Sequence, residues 1–205
     1  MPAEIIVCVS TELEGALLKP HLPVLVTGVG AVNAAIALTQ FLERHGAHAI
    51  LSCGIGGTYP GAALQLATAV WAESECYGDL GAASANGFLD MRALGFPVIA
   101  GASPLYNVLP VTLRPRDTIA VPFVTVNTCT GSDTAAREIE ARTGGAVETM
   151  EGAAIAHVAA LYGIPMGEVR GISNLAGNRD RDAWRIKEAA AAAQEALLHS
   201  IDAIL

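Results

Sequence analysis

The chain has 205 residues, 52% of them hydrophobic, 16% charged and 5% aromatic, which is enough apolar material to bury a substantial core in one α/β domain spanning 1–205. A formal charge of −8, with no Lys/Arg cluster free of acidic neighbours, excludes a polyanion-binding face, so no nucleic-acid partner is expected. No apolar stretch reaches the ~18 residues that span a bilayer, and the N-terminal run lacks a basic start, so a first strand, no membrane partner and a cytoplasmic location are expected.

In chain order, residues 4–9 read as a strand, and Ser10-Thr11-Glu12 opens a short helix that carries Glu14 in its first turns. A second strand over 22–27 runs into Gly28-Val29-Gly30, followed by a helix over 31–44 with Val32, Ala35, Ile36, Thr39 and Leu42 on one face. The glycines do not make a dinucleotide fingerprint. The third position of GxGxxG is Asn33, and no acidic residue ends a strand some 20 residues on, so the pair reads as a tight strand-to-helix turn. A third strand over 47–53 enters Gly54-Ile55-Gly56-Gly57, where the glycine density permits a close ligand approach or a bend.

Residues 66–73 alternate as a strand and 75–81 read as a polar loop, with Asp79 a turn residue. Repeated prolines break the pattern over 86–117, a variable excursion rather than a second domain. A strand over 119–127, a loop over 128–132, a helix over 134–142 and a closing helix from about 183, with Ile186, Ala190, Ala193, Leu197, Ile201 and Ile204 on one stripe, complete the alternation. Cys8, Cys53, Cys76 and Cys129 are widely spaced, with no CxxC pair and no histidine at ligand spacing. They read as small buried hydrophobes in a reducing compartment, and no metal site or organic cofactor is expected.

The chemistry concentrates in 147–184. A glutamate pair, Glu148 and Glu151, heads a small-residue helix, and the run MGEVRGISN reads as a buried strand with Arg170, Ser173 and Asn174 at its carboxyl end, where open α/β sheets place ligands. Each residue also has a plain reading. A glutamate at a helix start suits the positive end of the dipole, Asn174 suits a turn or cap, and an arginine in an apolar strand is either paired or faces a polar cleft.

Taken together, the glutamate-bearing loop after strand one, the GxGG segment, ETMEGAAIA and VRGISN resemble the purine nucleoside phosphorylase and nucleosidase superfamily, over nearly the whole chain outside 86–117. The joint run MEGAAIAHVAALYGIP and EVRGISNLAGNRDRDAW is most similar to the futalosine hydrolases of menaquinone biosynthesis. The resemblance implies a three-layer αβα sandwich with a twisted, mixed but mostly parallel sheet, a homo-oligomer, and hydrolysis of a purine N-glycosidic bond through an oxocarbenium-like sugar to give hypoxanthine and dehypoxanthine futalosine. It implies catalytic roles for Glu151 at the ribose hydroxyls and the attacking water, Arg170 fixing that water or Glu151, Glu14 (or Glu12) at the same water, and Asn174 at the base. Substrate contacts follow from Met150, Ser173, Gly54, Ile55, Gly56 and Thr128.

Three points of chemistry refine this. A 6-oxopurine presents an acceptor at O6 and N7–H as a donor, which an amide satisfies and an ionised carboxylate does not, so Asn174 favours hypoxanthine over adenine. Residues 10–18 and 53–61 carry no basic residue to neutralise phosphate, which favours water as nucleophile over a phosphorylase reaction. Futalosine's aryl carboxylate wants a cation, for which Arg179 and Arg181, or Arg114 and Arg116, are candidates, while the alternating Arg179-Asp180-Arg181-Asp182 also reads as a surface ion network. Trp184 reads as core, with capping of the aryl group as the alternative. The rival functions are a methylthioadenosine/S-adenosylhomocysteine-type nucleosidase, a phosphorylase, and a non-catalytic nucleoside-binding module.

Overall fold

The computed structural model describes residues 3–204. The strands are β1 (Ala3–Val9), β2 (Val24–Val26), β3 (Ala47–Thr58), β4 (Ala69–Tyr77), β5 (Gly81–Ser84), β6 (Gly87–Asp90), β7 (Val108–Pro110), β8 (Ala120–Thr125), β9 (Val147–Thr149) and β10 (Met166–Leu175). The helices are α1 (Glu12–Gly15), α2 (Ala31–His45), α3 (Met91–Leu94), α4 (Asp133–Thr143), α5 (Gly152–Tyr162) and α6 (Ile186–Ile204), with a 3₁₀ turn at Arg181–Ala183.

The alternation of strand and helix follows the expected α/β pattern, but the sheet is not the open layer of a simple sandwich. Strands pair in the order β10-β4-β8-β9-β3, and β3 pairs again with β10, so these five close into a ring. From β3 the sheet continues outward through β1 to β2, and β7 attaches to β4. Most pairings are parallel, as expected, while β10–β4 and β3–β9 inside the ring and β4–β7 beside it are antiparallel. Closure corrects the sandwich expectation, and its cause lies in the length of β3. The strand runs on through Gly54–Gly57 instead of turning there, long enough to pair with β1, β10 and β9.

The period of two along β1 divides the core. Ile6 and Cys8 face α2 and α5, with Leu38, Leu42, Ile155 and Ala156. Val7 and Val9 face α6, with Ala193 and Leu197. The buried stripe of α6 includes the expected Ala190, Ala193, Leu197 and Ile204.

The buried face of α2 differs from the expected stripe. It is Ala34, Leu38 and Leu42, while Val32 and Ile36 are exposed. The helix is apolar on two sides, so periodicity alone could not say which side meets the sheet. Three further boundaries move. Residues 75–77 belong to β4 and not to a loop, Glu148 lies in β9 and not at a helix head, and the 86–117 excursion holds β6, which pairs back onto β5, then α3 and β7. No helix among the described residues is long and apolar enough to cross a membrane.

Candidate active site

A cleft of about 430 Å³ opens where the carboxyl ends of β1 and β10 meet the glycine-rich half of β3. Its walls are Ser10, Thr11, Leu13, Glu14, Val29, Ile55, Gly56, Gly57, Cys129, Thr130, Glu148, Thr149, Met150, Glu151, Ser173, Asn174, Arg179, Trp184 and Ile186. Ligand clefts at strand ends are the rule for sheets of this kind.

Glu14 reaches the cleft because Thr11 caps α1. Its Oε2 accepts from the Thr11 backbone N–H (2.9 Å) and the Thr11 hydroxyl (2.8 Å), and its Oε1 accepts from the Ile55 N–H (3.0 Å). Glu12, two residues earlier and on the outer side of the same short helix, pairs with Lys19 in solvent. The structure thus separates two glutamates that the sequence leaves equivalent.

Glu151 is the N-cap of α5 and is buried against the turn after β2. Gly28 and Gly30 hold φ of 83° and 97°, a region closed to most side chains, and this presents the Gly30 N–H to Glu151 Oε1 at 2.8 Å. The glycine pair is therefore the tight turn expected, with its amide aimed at the site.

Arg170 does not line the cleft. It is buried behind Glu151, with Nε donating to Glu168 Oε1 (2.7 Å), Nη2 donating to Ser52 Oγ (2.9 Å), and Nη1 3.9 Å from Glu151 Oε2. Burial alone would lower its pKa, but the carboxylates of Glu168, Glu151 and Glu14 outweigh it and hold the guanidinium charged. Gly54 is beneath the cleft too. A Cβ there would stand 2.3 Å from Arg170 Nη1 and 2.6 Å from Glu14 Oε1, so its role is close approach of site side chains and not contact with a ligand.

On the β10 wall, Ser173 Oγ donates to Asn174 Oδ1 (2.7 Å) and Asn174 Nδ2 donates to the Leu175 carbonyl (3.0 Å). Those bonds orient the amide and leave one N–H and one oxygen lone pair unused. Met150 packs at the cleft beside Cys129, sulfur to sulfur at 3.2 Å, so Cys129 is half-buried at the site and not a core residue like Cys8, Cys53 and Cys76.

At the rim, the Arg179 guanidinium lies over the Trp184 ring, 5.0 Å from its centroid, and both line the cleft. Trp184 is accordingly a wall residue, against the core reading. Arg181 sits in the exposed 3₁₀ turn away from the cleft, and Thr128 is exposed outside it while its neighbours Cys129 and Thr130 line it. Arg114 and Arg116 are also outside it.

Among the wall residues that the sequence reading did not place at the site are Glu148 and Thr130. Glu148 accepts from the Tyr59 hydroxyl (2.9 Å), the Thr130 N–H (2.9 Å) and the Thr130 hydroxyl. Its spacing three before Glu151 was the available signal, but it pointed to a helix start. Among the described residues no cluster of His, Cys, Asp and Glu is arranged to hold a metal.

Comparison with known proteins gives the family. The phosphorylase superfamily profile matches residues 14–205. The futalosine hydrolase of Streptomyces coelicolor is 37% identical over 181 residues, covering 84% of this chain and 75% of that protein. The chain belongs to the phosphorylase superfamily, and within it to the futalosine hydrolases. The Thermus thermophilus futalosine hydrolase is 34% identical over 179 residues, covering 83% of this chain and 77% of the relative. The fold superposes on the Helicobacter pylori futalosine hydrolase structure with a TM-score of 0.79 at 14% identity, covering 98% of this chain and 97% of that one. Membership of this family makes the chain an N-glycosidic bond hydrolase.

Proposed function

We propose that the cleft binds futalosine and hydrolyses its N-glycosidic bond with water as nucleophile, releasing hypoxanthine and dehypoxanthine futalosine on a route to menaquinone. The observation that carries this reading is the convergence of two buried carboxylates, Glu14 and Glu151, on one cleft whose β10 wall carries the Asn174 amide.

A departing purine leaves a ribosyl group with oxocarbenium character, and fixed carboxylates stabilise that charge without reorganising. Glu151 takes the ribose hydroxyls and one side of the attacking water. Glu14 takes the other side, and Met150 packs on the sugar. Arg170, withdrawn from the cleft, acts through Glu151, holding it in place. The free N–H of Asn174 donates to O6 and its free lone pair accepts from N7–H, with Ser173 setting the amide's direction. Arg179 is the sole basic residue among those lining the cleft. Its place on Trp184 at the rim suits the substrate's aryl carboxylate better than a phosphate nucleophile beside the sugar.

Val29 at the cleft, with Val32 and Ile36 beyond it on α2, leaves exposed apolar surface beside the opening. This supports a homodimer whose second copy covers that face.

The test is base release from futalosine, inosine and methylthioadenosine (hypoxanthine from the first two, adenine from the third), each with and without phosphate. Phosphate-independent release, fastest from futalosine, is expected, with Arg179→Gln raising KM for futalosine and leaving inosine unaffected. Adenine release from methylthioadenosine, or a phosphate requirement, would overturn the reading.

A further inference from the structure

Behind the cleft lies a polar network to which every strand of the closed ring contributes. Ser52 comes from β3, Glu75 from β4, Thr125 from β8, Thr149 from β9, and Glu168 and Arg170 from β10. All six are buried. Glu168 and Arg170, two apart on one strand, face the same side of the sheet.

The network is complete except at one atom. Glu168 Oε1 accepts from Arg170 Nε, but Oε2 is buried with no partner, the sole side-chain oxygen or nitrogen so placed among the described residues. An ionised oxygen left thus is costly. Glu75 stands beside it. A Cβ on Gly152 would lie 1.9 Å from Glu75 Oε1 and 2.6 Å from each oxygen of Glu168, so the two carboxyl groups share the space that the missing side chain leaves at the start of α5. Glu75 Oε2 accepts from the Cys76 N–H (3.1 Å) and the Thr125 hydroxyl (3.0 Å), and Oε1 from the Thr149 hydroxyl (3.1 Å). That leaves Oε1 with one direction unfilled, toward Glu168.

The charge count closes the argument. Arg170 already serves Glu168, Glu151 and Glu14, and two adjoining carboxylates sharing one cation do not both ionise. We propose that Glu75 is a neutral carboxylic acid whose Oε1–H donates to Glu168 Oε2, and that this acid–carboxylate pair is the positioning device that aims Arg170 at Glu151. With Glu168 satisfied on both oxygens, it grips Nε while Ser52 holds Nη2, and the planar fork then fixes where Nη1 points. Burial, then the Glu168 charge, raises the pKa of Glu75 in the direction this requires. The role assigned to Arg170 rests on the glycosidic reading above, whereas the protonation of Glu75 stands apart from it.

Two measurements separate them. Infrared difference spectroscopy of the wild type at neutral pH should show the carbonyl stretch of a buried protonated carboxyl, shifted in D₂O and missing in Glu75→Gln. In turnover of futalosine, Glu75→Gln, whose amide still donates, should rescue kcat, while Glu75→Met, which cannot donate, should lower kcat by about 10–100-fold with little change in KM. Absence of the band from the wild type, or equal loss of kcat in both variants, overturns the proposal. If no variant and not even the wild type releases hypoxanthine while the band is present and lost in Glu75→Gln, the acid–carboxylate pair stands and the substrate reading fails.

Discussion

Glu151 Oε2 and Arg170 Nη1 lie 3.9 Å apart, beyond a hydrogen bond and within the range of charge attraction. The arginine therefore attracts the glutamate without occupying its hydrogen-bonding directions. One accepts from the Gly30 N–H, and the others remain open. Ion pairs that close fully would have disarmed a carboxylate meant to meet a sugar.

From this follows the expectation for Glu151→Gln. The amide oxygen can still accept from the Gly30 N–H, so the fold is retained. The negative charge beside the developing cation is lost, and kcat should fall by about 10²–10⁴-fold. Steady-state kinetics alongside circular dichroism checks this, and near-normal turnover would remove Glu151 from the mechanism.

Asn174→Asp should weaken the preference for a 6-oxopurine. An ionised carboxylate facing O6 mismatches a buried pair by about 1–3 kcal/mol, roughly one to two decades in kcat/KM for the hypoxanthine nucleoside. Competition between 6-oxo and 6-amino nucleosides measures the shift. No change in the ratio would mean that Asn174 does not read the base.

Gly54→Ala tests the closeness of the site's back wall. The added methyl would meet Arg170 Nη1 and Glu14 Oε1 at 2.3 and 2.6 Å, so both must move. A stability loss of about 1–3 kcal/mol is expected, together with a fall in kcat larger than in KM. Denaturant titration and kinetics on one preparation read both.

The pH dependence of stability has a definite sign at Glu75. Its folded pKa is raised above the ordinary 4.5 by burial and then by Glu168. A group so shifted contributes its stability below the unfolded value and loses it as pH rises through the folded value. Wild type should therefore lose stability relative to Glu75→Gln as pH rises above about 4.5. Glu168, raised in the same direction by burial against the pull of Arg170, is present in both proteins, and its coupling to Glu75 is part of the measured difference. Urea denaturation of the pair at acid, neutral and alkaline pH gives the comparison, and parallel curves would contradict a protonated Glu75.

The parts of the site carried by local pattern were legible in the sequence. An arginine in the apolar run of β10 announced a polar neighbourhood, and the GxG after β2 announced a turn. What was hidden depended on contacts between distant strands. Glu75 reads as a loop residue because a carboxyl in a strand is unexpected until Thr125 and Thr149 are seen to satisfy it. The run Gly54–Gly57 reads as a close ligand approach or a bend because glycine's other use, making room for Arg170 and Glu14, needs those side chains in place. Val32 and Ile36 read as core because a helix apolar on two faces does not declare which one a sheet will cover. The closed ring escaped for the same reason, since the second partner of β3 lies more than a hundred residues away in β10.

That ring also governs how the molecule can come apart. β2 and β7 each pair with a single neighbour and can fray one bond at a time, whereas β4, β8, β9, β3 and β10 are each bounded on both sides. Water has no edge from which to unzip them. The proton between Glu75 and Glu168 is thus shielded by a hoop that has to break along two seams at once, and its exchange with solvent should follow the rare global opening of the protein instead of local breathing at its rim.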